Sequence, residues 1–249
     1  MSLACNRAGI TLLTLVLATA LCVPVITAAD NPADDCPKAK PSRGFIGFGN
    51  TQYDPSETNN SLEATGYEIF EDTRFSIDFA YYRMHPSRLV TGGEFAICAD
   101  ASDGPNGYDA VIFNQDLHFN LGYLVHRSRR LTAFPFVGVG YGIQSLNVRR
   151  NDSTSFESML INPRGSARFT ALSLLFRVGF HADFMLPLFV RNDRDHGPVL
   201  GIRASYTVPL TKGSLDMSWR NGITGLPEAD HTGFQAHVLI GWGSQPTAE

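Results

Sequence analysis

Polar and apolar residues alternate with almost no error from position 110 to 125, AVIFNQDLHFNLGYLV. The odd numbers give Val111, Phe113, Gln115, Leu117, Phe119, Leu121, Tyr123 and Val125, while the even numbers include Asn114, Asp116, His118, Asn120 and Gly122. Successive side chains of a strand point to opposite faces, so this separation predicts a strand whose two faces meet different surroundings.

The same period recurs in seven other segments. The eight cover roughly 44–53, 66–84, 91–99, 108–126, 132–145, 169–184, 199–208 and 233–242. In the second, Phe75, Ile77, Phe79 and Tyr81 oppose Ser76, Asp78, Ala80 and Tyr82; in the sixth, Leu172, Leu174, Phe176, Val178, Phe180 and Phe184 oppose Ser173, Arg177, Gly179, His181 and Asp183. The seventh sets Leu200, Ile202, Ala204 and Tyr206 against Gly201, Arg203 and Ser205, and the eighth sets Phe234, Ala236, Val238, Ile240 and Trp242 against Gln235, His237 and Gly241. No long stretch repeats every 3.6 residues, and glycines inside the alternating runs penalise helix. The chain reads as all-β.

The connections sort by length. Those after odd-numbered strands span about 50–65, 100–107, 146–168 and 209–232; those after even ones span about 85–90, 127–131 and 185–198, the last being longer than a tight turn. Alternating long and short connections, with both termini on the short side, match an up-and-down barrel crossing an outer membrane.

Alternation alone does not say which face meets water, because a soluble sandwich alternates too. The polar rows decide the expectation. They hold short hydrogen-bonding groups and glycines suited to a narrow lumen, and Lys212 is the only lysine after Lys40. Several segments alternate over ten or more residues, the length a tilted membrane strand needs. Aromatics near segment ends, Tyr53, Tyr81, Tyr108, Tyr123, Phe134, Phe184, Tyr206 and Trp242, suit interfacial girdles. The expected fold is an eight-stranded antiparallel up-and-down transmembrane β-barrel, its backbone groups all paired by closure. The alternative is a soluble exported barrel with its apolar rows turned inward around an apolar small molecule.

Composition adds the compartment. The net charge of −4 over 249 residues gives no broad basic field, so nucleic acid is excluded as a partner. Arg7 precedes an apolar run at 8–29 that ends in Ala28 and Ala29, the pattern of a cleaved secretory signal. The expected organisation is a signal peptide at 1–29, an extended lead-in at 30–43, the barrel at 44–243 and a tail at 244–249. The exported part keeps Cys36 and Cys98. Two cysteines in an oxidising compartment can form one bridge. Cys36 precedes the first strand while Cys98 lies near the far end of the third. Either the lead-in threads into the lumen, or the two stay unpaired, or the third strand runs otherwise.

At FPFVGVGYG, 134–142, the sequence resembles the small bacterial outer-membrane β-barrel family of OmpA-like and OmpX-like barrel domains. There an aromatic-Pro-aromatic opening and Gly-x-Gly alternation are common. The last segment, GFQAHVLIGW, is similar to the family's terminal strand, although here Trp242 is followed by GSQPTAE. The resemblance implies outer-membrane lipid and the barrel assembly machinery as partners. Its members include adhesins, structural anchors, small-solute pores and a few lipid-modifying enzymes.

Candidate chemistry is sparse. Asn114, Asp116, His118, Asn120, Arg177, His181, Asp183, Arg203 and His237 form the expected polar lumen cluster, whose plain role is to hold a filled barrel together. His181 with Asp183, or His118 with Asp116, offers a conceivable metal or proton-relay pair. A lipid-directed enzyme would need Ser, His and acid together near the outer face, but the one close pair, His126 and Ser128, sits in a short basic turn. Asp193 and Asp195 lack the further oxygen ligands of a calcium loop. Eight strands leave a lumen just wide enough for side chains, so bulk solute flow is not expected. The reading is a non-catalytic barrel without cofactors, with a structural or surface-interaction role toward an unknown extracellular ligand through its outer loops.

Overall fold

The computed structural model describes residues 41–128, 130–150, 166–191, 194–213, 216–217 and 228–246. The expected signal peptide, nearly all of the lead-in, Cys36 and Asp193 lie outside the described residues. Eight long strands run antiparallel: β1 Ser42–Gln52, β2 Thr73–Met84, β3 Leu89–Asp103, β4 Tyr108–Tyr123, β5 Leu131–Arg150, β6 Ser166–Met185, β7 Arg194–Thr211 and β8 Gly233–Pro246. Each pairs with its neighbours in sequence from β1 to β6, β8 pairs with both β1 and β7, and β7 pairs back onto β6. Among the described residues the sheet closes on itself through the β6–β7 pairing.

The period-two rows fall where the pattern puts them. Phe75, Leu117, Phe119, Val139, Tyr141, Leu172, Ile202, Val238 and Ile240 are exposed on the outside, while Asp78, Asn114, Asp116, His118, Arg177 and Arg203 are buried within. Leaving one large apolar side chain in water forfeits about 1.5–3 kcal/mol, and this wall exposes them along every strand. A wall like this belongs in hydrocarbon. The inverted polarity rules out the soluble alternative, which needed the apolar rows inside.

Strand ends differ from the pattern in both directions. β2 begins at Thr73, not near 66, because residues 56–63 form a short helix, α1 (Ser56–Glu63). Leu62 and Thr58 are its only buried residues, too few to show a helical period. Gly66, at φ +85°, ends it: Gly66 N–H donates to Glu63 O and Tyr67 N–H to Leu62 O, a pairing that needs a left-handed residue. β3 runs on to Asp103, and the expected long connection at 100–107 shrinks to a tight turn around Pro105–Gly107. β4 stops at Tyr123, and His126–Arg127 is a separate two-residue pairing with β5.

The 185–198 connection is mostly ladder. Leu186 N–H donates to Pro198 O and Leu188 N–H to His196 O, and Arg191 and Arg194 exchange backbone hydrogen bonds at 2.9 and 3.2 Å. β8 likewise continues past Trp242, with Gly243 opposite Gly197 and Pro246 opposite Arg194, so the hairpin and the last strand project together at the end that carries the termini. Two expected girdle aromatics turn the other way: Phe134 and Tyr53 are buried, at 0% and 5% exposure. Phe134 shares the inward row of Gly138 and Gly140, so its parity, not its position near a strand end, sets its direction.

Candidate functional site

The barrel lumen is the candidate site, and glycine makes the room for it. On β5 a Cβ at Gly138 would fall 2.2 Å from Asn120 Oδ1, at Gly140 2.9 Å from His118 Cδ2, and at Gly142 2.7 Å from the His231 ring. The Gly-x-Gly-x-Gly row is therefore the mould against which β4 presses its polar row. Across the barrel Gly47 does the same for Asp78.

The middle layer is ionic. Glu94 on β3 accepts from Arg177 Nη1 on β6 and lies 2.9 Å from Arg203 Nη1 on β7. Arg203 also pairs with Asp78 on β2 through Nη2 and donates from Nη1 to the Tyr82 hydroxyl, 3.0 Å. Arg177 completes its fork on Thr207 Oγ1 at 3.1 Å and Gln235 Oε1 at 2.7 Å, and Asn120 Nδ2 donates to Glu94 Oε2 at 3.3 Å. His237 on β8 stands 2.7 Å from Ser76 Oγ and 3.6 Å from Asp78 Oδ2. The two arginines, two carboxylates and their polar neighbours brace six different strands.

Toward the loop end a second group gathers on Asp116. Its Oδ2 accepts from the Tyr53 hydroxyl at 2.8 Å, and its Oδ1 lies 3.2 Å from Nδ1 of His231. His231 comes from the β7–β8 connection, which dips into the lumen so that His231 and Ala229 are wholly buried. His118 lies two positions along the same inward row, and Cys98, which carries no disulfide, receives Asn114 Nδ2 at 3.8 Å. Above them Leu62 of α1, Phe70, Ala110, Ile112, Leu146, Ala171 and Ala229 form an apolar lid. Arg74 sits under Phe70 and Tyr53 at 5.7 and 5.9 Å from their ring centres.

Toward the termini a third group is mostly aromatic. His181 stacks on Phe134 at 4.7 Å and lies 5.3 Å from Phe45 and 5.1 Å from Tyr82. Its Nε2 is 2.9 Å from Asp183 Oδ2, and Asp183 also pairs with Arg43, which donates in turn to Gln245 Oε1 at 3.3 Å. Met84, Val90, Leu124, Phe136, Met185, Val199 and Leu239 close this end.

All nine residues of the expected cluster thus lie inside the barrel, but in three layers. Of the two His–Asp pairs one forms and one does not: His181 meets Asp183, which also serves Arg43, whereas Asp116 turns to Tyr53 and His231, not to its strand neighbour His118. Among the described residues no group of three His, Cys, Asp or Glu is placed to hold a metal ion. His126 and Ser128 are exposed at the termini end, where Ser128 Oγ caps its own turn by accepting from Leu131 N–H at 2.9 Å. Asp195 is buried inside β7 instead of lying in an open loop. The expected cluster left out Glu94, Arg43, Tyr82 and His231, although Tyr82 already stood in the polar row of the second segment. The first three were accessible from strand parity; His231 was not, since a loop that folds back leaves no period. A depression lined by Phe48, Phe180, Ile202, Ala236 and Val238 of the outward rows also includes Arg203 and His237 in its lining.

A closed eight-stranded wall with apolar residues outside and paired charges inside is a transmembrane barrel of the bacterial outer-membrane kind. Solved structures of similar fold include Ail, the attachment invasion locus protein of Yersinia pestis, crystallised with the heparin analogue sucrose octasulfate: 12% identity, 83% of this chain and 99% of that chain covered, TM-score 0.44. OprG of Pseudomonas aeruginosa is 14% identical over 84% of this chain and 98% of that one, with a TM-score of 0.36. A major outer membrane protein of Thermus thermophilus is 14% identical over 82% and 99%, with a TM-score of 0.37. No protein-family model matches the sequence, and no curated protein matches it.

Proposed function

We propose that this chain is a filled, non-catalytic outer-membrane barrel that carries its loop end as a surface for interaction, with the lumen acting as a brace. The observation that carries this reading is the filling itself: an apolar cluster at each end encloses a layer of mutually paired charges. A pore needs a wet path, and a hydrolase needs a nucleophile open to its substrate; the charged groups of the middle layer are committed to one another.

The character of the surface follows from its charges. Asp54, Glu57, Glu63, Glu68, Glu71 and Asp72 are exposed around α1, against Arg149, Arg168 and Lys212 among the exposed cations described at that end. The favoured partner is a cationic surface or peptide, and a polyanion of the heparin kind is disfavoured. The α1 segment is held for presentation: Asn59 exchanges two hydrogen bonds with the Phe70 backbone at 3.0 and 2.9 Å, and Glu57 accepts from the Glu228 N–H of the opposite loop at 3.1 Å.

Two measurements test this. Outer-membrane fractions should yield a band whose gel mobility shifts on boiling, and the purified barrel in planar bilayers should give no steady conductance. Ohmic single-channel currents would overturn the filled-lumen reading. Cells displaying the protein should bind a polycation better than cells displaying Glu57→Gln/Glu63→Gln/Glu68→Gln, and equal binding would remove the acidic face from the proposal.

A further inference from the structure

Charge is divided between the two ends of the barrel. At the end carrying the termini the described exposed residues include Arg83, Arg88, Arg127, Arg130 and Arg191, with Arg194 half-exposed. No exposed carboxylate is described there: Asp183 and Asp195 belong to that end but are buried at 2% and 1%. Arg83 and Arg194 carry like charges on one rim, Arg83 opposite Ser42 at the start of β1 and Arg194 opposite Pro246 at the end of β8. Such a ring costs free energy unless an anion offsets it.

The same end is also apolar. The projecting β6–β7 hairpin exposes Leu186 (51%), Leu188 (66%), Phe189 (49%) and Val190 (60%), and Phe189 packs 6.2 Å from Trp242, itself half-exposed. These residues continue the lipid-facing wall past the lumen, so the arginines lie where hydrocarbon gives way to headgroups. Long cationic side chains at that depth rest their stems on apolar surface and hold their charge in the polar layer. A guanidinium binds phosphate oxygens through two parallel N–H donors, which a choline headgroup's own cation opposes.

We infer that the arginine ring at the termini end binds the phosphate headgroups of anionic phospholipid in the adjoining leaflet, with the Leu186–Val190 ribbon seated among the acyl chains. This rests on the membrane-barrel reading above. The occupant is anionic lipid because apolar and cationic surfaces are continuous there, which a soluble anion would not use.

The test compares the refolded full chain in phosphatidylglycerol and phosphatidylcholine, by counting retained lipids in native mass spectrometry at graded salt. Wild-type should retain phosphatidylglycerol at least tenfold more readily, with the preference falling as salt rises. Arg83→Gln/Arg88→Gln/Arg127→Gln/Arg191→Gln should lose most of that preference, each arginine at the surface contributing about 1 kcal/mol, and the corresponding four Arg→Lys changes should keep most of it. Folding of each variant is read from its heat-dependent gel shift, which these exposed positions should leave intact. Equal retention of both lipids, or an unchanged preference in the folded Gln variant, overturns the inference; so does displacement by millimolar inorganic phosphate, which would make the ring a simple anion site. A chain that stays soluble without detergent and shows no gel shift fails the membrane reading itself, before any lipid is counted.

Discussion

Glu94 is the residue on which the lumen turns, since it takes charge from both Arg177 and Arg203. A buried ion pair gains little over an apolar replacement of both partners, but removing one partner strands the other. Glu94→Leu is therefore expected to cost about 3–5 kcal/mol, read as a lower temperature for loss of the compact, unboiled gel band. Arg177→Met in that background should recover part of the loss, and a fully additive double variant would contradict the pairing. These residues were partly legible. Asp78, Arg177 and Arg203 announce themselves as charges in the polar rows of otherwise apolar strands, and parity sends them inward. Which acid meets which base was not legible, because pairing across a lumen depends on register and on strands far apart in the chain. The same limit applies to the His–Asp pairs: His181 does meet Asp183, but sharing a face with Asp116 did not pair His118 with it, since Tyr53 and a loop histidine reach Asp116 instead.

At the scale of elements, the glycine row of β5 has a measurable consequence. A Cβ at Gly140 would stand 2.0 Å from Leu117 O, a backbone atom that cannot step aside. Gly140→Ala should therefore weaken β4–β5 pairing and abolish or sharply reduce the heat-resistant band, whereas Gly44→Ala, with nothing within 4 Å, should be silent. The β7–β8 connection offers a pH test. Lys212 pairs with Asp230 at 3.0 Å. Burial opposes ionisation of Asp230, but the Thr232 hydroxyl and N–H, with the Lys212 ammonium, together hold its carboxyl below the usual range. A depressed carboxylate lends its stability above the ordinary value near 4 and loses it as pH falls through the lower folded value. Protection of residues 228–232 against hydrogen exchange, relative to the intrinsic rate at each pH, should fall on acidification below about pH 4, and Asp230→Asn should remove that dependence. Strand cores were legible from period two alone. Their ends were not: β3, β5, β7 and β8 all outrun the alternating rows, since backbone pairing continues past the stretch where lipid and lumen impose alternation.

For the whole molecule, the barrel and its inverted polarity were readable because lipid and lumen impose opposite chemistry on alternate residues. The charge division was not readable until loops and turns had been assigned to ends. An acidic loop end and a basic termini end give the barrel a direction in the membrane, so swapping the charges of the two ends should lower the yield of inserted protein, measured as the fraction resistant to external protease.

The lumen network also has a history, because its charges are sorted along the chain. The acids Asp78, Glu94 and Asp116 lie on β2 to β4, and their partners Arg177, Arg203 and His231 lie on β6, β7 and the connection after it. The Arg43–Asp183 pair runs in the opposite sense, from β1 to β6, but it too spans the two halves, so half a barrel would leave most of these charges without their partners. Only when the second half arrives do they find their counterparts, so a chain stalled midway remains in an electrostatically unfinished state that quality-control proteases can tell from the closed product.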